Sequence, residues 1–131
     1  MSAVAVRPIV ALLAVVVVLA GCGNTTAAGF AEPPASLDPN SPTLAAKDIA
    51  FTKAELDVPA GRPFILVFEN QESVAHNVSI YPEGASADPL LLGVVFPGPA
   101  TRWYPVPALA AGTYVFKCDV HPNMTGTLRA S

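Results

Sequence analysis

Charged residues are scarce in this 131-residue chain: they make up 13% of it, about half of the roughly 25% usual in globular proteins. The seven lysines and arginines are outnumbered by ten acidic residues, and the net charge is −3. Because nucleic acids are bound by clustered basic side chains, we expect no nucleic-acid partner. The length allows one modest domain.

The chain also lacks an apolar run long enough to span a membrane. Its longest unbroken run, residues 9–20, is well short of the roughly 20 residues that a spanning helix needs, and it follows a single cation, Arg7. Such a run is typical of a signal peptide, predicted here over residues 1–21. The next residues, Leu19-Ala20-Gly21-Cys22, look like a bacterial lipobox, which predicts a lipidated Cys22 and a membrane anchor. The alternative is a plain secretory signal.

Residues 22–43 contain much Pro, Ala, Thr, Ser and Asn and few large apolar side chains. This composition predicts a flexible tether of about 25 Å as a coil and at most roughly 60 Å as polyproline II. The folded domain is then expected over residues 44–131. We expect a monomer on the outer face of the cytoplasmic membrane or in the periplasm.

Short β-type runs, separated by Pro and Gly turns, fill the predicted domain. They cover residues 44–51, 56–58, 63–69, 74–81, 94–96, 101–106, 113–118 and 125–129. With no convincing amphipathic helix, this pattern predicts an all-β fold, an antiparallel sandwich or small barrel of seven to eight strands. Because side chains alternate along a strand, His76 and Cys118 are expected to point into the core.

Outside the predicted signal peptide and Cys22, the chain has one Cys, two His and one Met. Three of these four lie close together, as Cys118, His121 and Met124; the fourth is His76. An extended segment would hold residues 118 and 124 about 20 Å apart, whereas donors to one ion lie about 3 to 4 Å apart. We therefore expect this segment to curl around a metal ion.

Two imidazoles, a thiolate and a weak thioether are the donors of a blue-copper electron-transfer site. Zinc is the alternative metal, since it would accept the Cys and both His but gains little from a thioether. Both histidines are used by this site, which leaves none for a second metal centre or a catalytic triad. We therefore do not expect an enzyme.

Four motifs resemble the cupredoxins of the plastocyanin and amicyanin family. They are Val58-Pro59-Ala60-Gly61, His76-Asn77, Gly112-Thr113-Tyr114 and the spacing Cys118-x2-His121-x2-Met124, whose short last gap is amicyanin-like. The resemblance implies a Greek-key β-sandwich that holds one type 1 copper ion at one end, ligated by His76, Cys118, His121 and Met124. It also implies that Asn77 fastens the two ligand segments together by hydrogen bonds near Cys118 and Asp119.

The predicted strand directions place three loops at the metal end: residues 70–75, 97–100 and 119–124. His121 is the expected exit for electrons, inside an apolar docking patch that includes Pro97, Pro99 and Pro122. Redox proteins would dock there transiently. The sequence thus predicts a lipid-anchored one-electron carrier, and the alternative is a copper-binding lipoprotein for copper delivery, storage or sensing.

Overall fold

The computed structural model describes residues 27–84 and 88–131. Within these residues the chain forms strands and no helix, and therefore no helix that is long and apolar enough to cross a membrane. The strands are β1 (Thr43–Lys47), β2 (Ala50–Phe51), β3 (Glu55–Val58), β4 (Phe64–Asn70), β5 (Ser79–Pro82), β6 (Ala100–Val106), β7 (Gly112–Lys117) and β8 (Thr125–Ala130). The predicted all-β sandwich of seven to eight strands is confirmed.

The eight strands form two four-stranded sheets, in the orders β2-β1-β4-β6 and β3-β8-β7-β5. Both sheets are mixed: β1 pairs with β4 in parallel and β3 with β8 in parallel, while the other pairs are antiparallel. The expectation of purely antiparallel sheets was therefore wrong. The chain passes from one sheet to the other between β2 and β3 and again between β3 and β4, so β1 and β4 become neighbours without a hairpin.

Three of the predicted strands differ in the structure, and one of them, residues 94–96, forms no regular strand. Residues 44–51 divide into β1 and β2 because Asp48 and Ile49 adopt left-handed backbone angles, φ 54° and 55°, which reverse the chain. In residues 74–81, regular pairing starts only at Ser79, and His76 forms an isolated bridge with Phe96. This irregular stretch carries the first predicted ligand.

The core lies between the two sheets and is built from aliphatic residues with three central aromatic rings. Phe68, Tyr104 and Phe116 are fully buried, and Phe51 packs edge-on against two of them, Phe68 and Phe116. At one end of the sandwich, Gly61 N–H donates to the Leu109 carbonyl, which joins the loop between β3 and β4 to the loop between β6 and β7. The predicted ligands lie at the other end.

The segment before β1 does not run free of the domain. Residues 28–30 form what we call the N-terminal strap. Ala28 forms a bridge with Gly93 and Phe30 forms one with Trp103, and four backbone hydrogen bonds of 2.7–3.2 Å hold the two bridges. The strap thus covers the outer edge of β6. The predicted signal peptide and Cys22 lie outside the described residues.

Candidate metal centre

His76 is fully buried, and hydrogen bonds hold both its backbone and its ring. Its N–H donates to the Phe96 carbonyl (3.1 Å), and its own carbonyl accepts from Phe96 N–H (3.0 Å). On the ring, Nε2 lies 2.8 Å from Oε1 of Glu72. The other ring nitrogen, Nδ1, faces the sulfur of Cys118 at 3.8 Å.

Cys118 follows directly after β7, where the chain begins a tight loop to β8. Cys118 N–H donates to the Met124 carbonyl and Met124 N–H donates to the His121 carbonyl, each at 2.9 Å. These two bonds curl the segment as the metal hypothesis requires. They bring His121 Nδ1 to 3.5 Å from the Cys118 sulfur. Cys118 and Met124 are buried, whereas His121 is only half-buried.

The ligand atoms of His76, Cys118 and His121 all lie within 4.8 Å of one another. With bonds of about 2.0 to 2.3 Å, donors to one ion are about 3 to 4 Å apart, so the two nitrogen-to-sulfur distances already fit a shared ion. Met124 belongs to the same buried cluster as Cys118 and brings a thioether to this end of the sandwich. This donor set fits one type 1 copper ion.

Asn77 joins the two ligand segments. Its Oδ1 accepts from Asp119 N–H (2.8 Å), and its Nδ2 donates to the Gly93 carbonyl (2.9 Å) and to Oδ2 of Asp119 (2.6 Å). The residue next to His76 is thereby linked to the residue next to Cys118. Because Asn77 is 1% exposed, water does not compete for these hydrogen bonds.

The Asp119 carboxylate collects two further hydrogen bonds. Ser79 Oγ donates to Oδ2, and Tyr81 OH donates to Oδ1 at 2.7 Å. Burial alone would raise the pKa of Asp119, but the hydrogen bonds from Ser79, Asn77 and Tyr81 and the nearby Lys117 ammonium outweigh it and hold that pKa below its usual value. The carboxylate is thus ionised at neutral pH.

The sequence of residues 10–130 matches the family model of the cupredoxin-like domain. The chain belongs to the cupredoxin-like family. No curated protein sequence matches this cupredoxin significantly.

Several solved cupredoxins share its fold. The reduced auracyanin of Roseiflexus castenholzii has a TM-score of 0.61 and 20% identity, covering 68% of this chain and 94% of that one. Auracyanin A, a blue copper protein of Chloroflexus aurantiacus, has a TM-score of 0.60 and 23% identity, covering 68% and 96%. Amicyanin of Paracoccus versutus has a TM-score of 0.57 and 21% identity, covering 74% and 87%.

In this cupredoxin, two carboxylates lie beside the predicted ligands; the sequence analysis did not find Glu72, and it named Asp119 only as a neighbour of the Asn77 hydrogen bonds. Glu72 accepts from Ile49 N–H at 2.9 Å besides its contact with His76. The hydrogen bond from Ile49, and then that with His76, lower the pKa of Glu72 against the opposing effect of desolvation. The only sequence signals were the four-residue spacing of Glu72 from His76 and an acid directly after Cys118.

Several apolar residues are exposed on the loops next to the predicted ligands of the cupredoxin, where His121 is half-buried. Val74 and Val120, which flank the two ligand segments, are 37% and 48% exposed. Pro97 and Pro122 are also exposed. The predicted docking residue Pro99 follows a cis peptide bond with Gly98 and is exposed as well.

Proposed function

We propose that this cupredoxin carries single electrons between redox proteins outside the cytoplasm, with His76, Cys118, His121 and Met124 as the ligands of its copper. The observation that carries the proposal is the convergence of two imidazole nitrogens on the Cys118 sulfur, at 3.5 and 3.8 Å. Copper bound there would supply a one-electron couple between Cu(I) and Cu(II).

The role of the protein is to keep the donors in one arrangement in both oxidation states. His76 is fixed by Phe96 and Glu72, and the loop from Cys118 to Met124 is closed by its own backbone hydrogen bonds. Asn77 ties these two parts together. A held geometry reduces the rearrangement that accompanies each electron transfer.

Electrons would enter and leave through His121, the one proposed imidazole ligand that reaches the surface. Brief docking is favoured by exposed apolar residues of the loops next to the predicted ligands, namely Val74, Val120, Pro97, Pro99 and Pro122. We expect redox partners with a matching apolar face, and a monomeric carrier. Nothing in this role requires catalysis by the chain itself.

The signal-peptide pattern and the lipobox-like sequence support an extracytoplasmic, lipid-anchored protein. Copper delivery or storage would use the same donors. The buried positions of His76 and Cys118 favour the carrier, since a delivery protein has to release its ion readily to another protein.

The test is a visible spectrum of the full chain loaded with Cu(II), compared with Cys118→Ser and with the matched variant Cys22→Ser. We expect an intense thiolate-to-copper band in the wild type, its loss in Cys118→Ser and its retention in Cys22→Ser. We also expect Cys22→Ser to move from the membrane fraction to the soluble fraction. A colourless wild type with full copper occupancy would refute the electron-carrier assignment.

A further inference from the structure

The carboxylate of Asp119 is unusually well held for a side chain at the surface. Three donors from alternate residues of one segment, Asn77, Ser79 and Tyr81, point at its two oxygens. Asn77 and Ser79 are 1% and 0% exposed, so two of the three donors are removed from water. The hydrogen bonds that they donate to the carboxylate offset part of their cost of burial.

The charge of Asp119 is not cancelled by a direct partner. Among the ion pairs within the described residues, none includes Asp119. The nearest cation in this cluster, Lys117, lies with its Nζ 4.1 Å from the centre of the Tyr81 ring. Asp119 is also bonded to Asn77 through its own N–H, so moving this residue away from the segment of residues 77–81 would break four hydrogen bonds, three of them to the carboxylate.

We propose that Asp119 is a positioning residue whose fixed negative charge, one residue from Cys118, lowers the reduction potential of the metal centre. This inference rests on the proposed function. When the site takes one electron from a protein-borne donor, its charge falls by one unit, no bond forms or breaks, and no proton moves. A negative charge held nearby opposes that change and favours the oxidised state.

A merely structural role predicts something different. If Asp119 only tied the loop to Asn77, replacing it would alter stability and leave the potential where it is. Tyr81→Phe provides this comparison, because it removes one donor and keeps the charge. Asp57→Asn provides a control for charge alone, since Asp57 is exposed on β3, beside Arg129 of β8 and away from the metal end.

The experiment is a redox titration of the copper-loaded full chain, with thermal unfolding of the copper-free protein as a second measurement. In Asp119→Asn we expect the equilibrium to shift toward the reduced state by about threefold to tenfold. In Asp57→Asn and Tyr81→Phe we expect shifts below about twofold. Tyr81→Phe should still lower the melting temperature of the copper-free protein.

An unchanged potential in Asp119→Asn, or an equal rise in Asp57→Asn, would overturn the inference. If Asp119→Asn does not fold, Asp119→Ser decides by the same criterion. A wild type that binds copper without the intense band would refute the proposed function instead, so the two failures are distinguishable.

Discussion

Glu72 Oε1 lies 2.8 Å from Nε2 of His76, while the other ring nitrogen of His76 faces the sulfur of Cys118. A metal-binding imidazole needs its ligating nitrogen free of a proton, so with copper on Nδ1 the hydrogen would lie on Nε2 and would be donated to Glu72. Glu72 is itself held by Ile49 N–H, at the reversal between β1 and β2. A chain reversal in one sheet thereby orients a ligand at the end of the other.

Replacing Glu72 tests this arrangement directly. Glu72→Gln should weaken copper binding by about 10- to 100-fold, because the amide is a poorer acceptor for the imidazole N–H. The measurement is competition with a chelator of known copper affinity. Glu69→Gln is the control, since the Glu69 carboxylate bonds Gln71 and none of the proposed ligands. Equal affinities of Glu72→Gln and wild type would contradict the orienting role.

Asn77 should matter for stability even without metal. Asn77→Ala leaves the Gly93 carbonyl and Asp119 N–H without their buried partner, at a cost of about 1 to 3 kcal/mol per unsatisfied group. In urea titrations of the copper-free protein, we expect the free energy of unfolding to fall by about 1 to 3 kcal/mol or more. Asn123→Ala, an exposed residue of the same loop, should change it little. Similar losses in both variants would argue against a special role for Asn77.

The apolar patch around His121 can be tested without knowing the partner. Electron exchange between oxidised and reduced copies of the protein requires two such patches to meet. Val120→Lys should slow this exchange several-fold at low ionic strength, because it brings like charges together. Leu90→Lys introduces the same charge at a residue of comparable exposure, 39% against 48%, and should have little effect. Equal slowing in both variants would show that exchange does not use this patch.

Alkaline pH should expose the contact between Tyr81 and Asp119. Burial, followed by the hydrogen bond to Asp119 and the charge of that carboxylate, raises the pKa of Tyr81 to about 12. A raised pKa stabilises the folded state below the unfolded value of about 10, and this contribution is lost as the pH rises toward 12. In urea unfolding of the copper-free protein, Tyr81→Phe should therefore show a shallower decline above pH 10. Tyr114→Phe, whose hydroxyl bonds the Ala110 carbonyl, is the control; if it flattens the decline equally, the effect does not come from Tyr81.

The ligand types and their spacing could be predicted because the chain has so few of them. One Cys, two His and one Met in the predicted domain left little choice, and strand alternation directed His76 and Cys118 inward. The roles of Glu72 and Asp119 could not be predicted in the same way. Each is an ordinary surface acid in sequence, and its partners come from tertiary contacts: Ile49 lies 23 residues from Glu72, and Tyr81 lies 38 residues from Asp119.

The strand pairing and the strap were missed for related reasons. A left-handed backbone angle at Ile49, a β-branched residue, has no sequence signal. The division of residues 44–51 into β1 and β2 could therefore not be predicted. The strap is held by backbone hydrogen bonds to Leu92, Val94 and Trp103, which almost any residue can make. The composition of residues 22–43 therefore predicted only a flexible tether.

Gly29 offers a test of the strap. Its φ of 144° favours glycine, and an added Cβ would lie 2.7 Å from the Tyr104 ring. Gly29→Val should detach the strap and speed hydrogen exchange at the Trp103 amide, which donates to the Phe30 carbonyl at 3.2 Å. Ala31→Val, at an exposed neighbouring position, should not. Unchanged exchange in Gly29→Val would mean that the strap tolerates the added side chain.

The strap also shortens the chain segment between Cys22 and the folded domain. Docking at Ala28 leaves six residue steps back to Cys22, which reach at most about 20 Å at roughly 3.3 to 3.6 Å per residue. A lipid on Cys22 would thus hold the domain close to the bilayer surface. There it could exchange electrons with membrane-embedded partners but not with proteins far from the membrane.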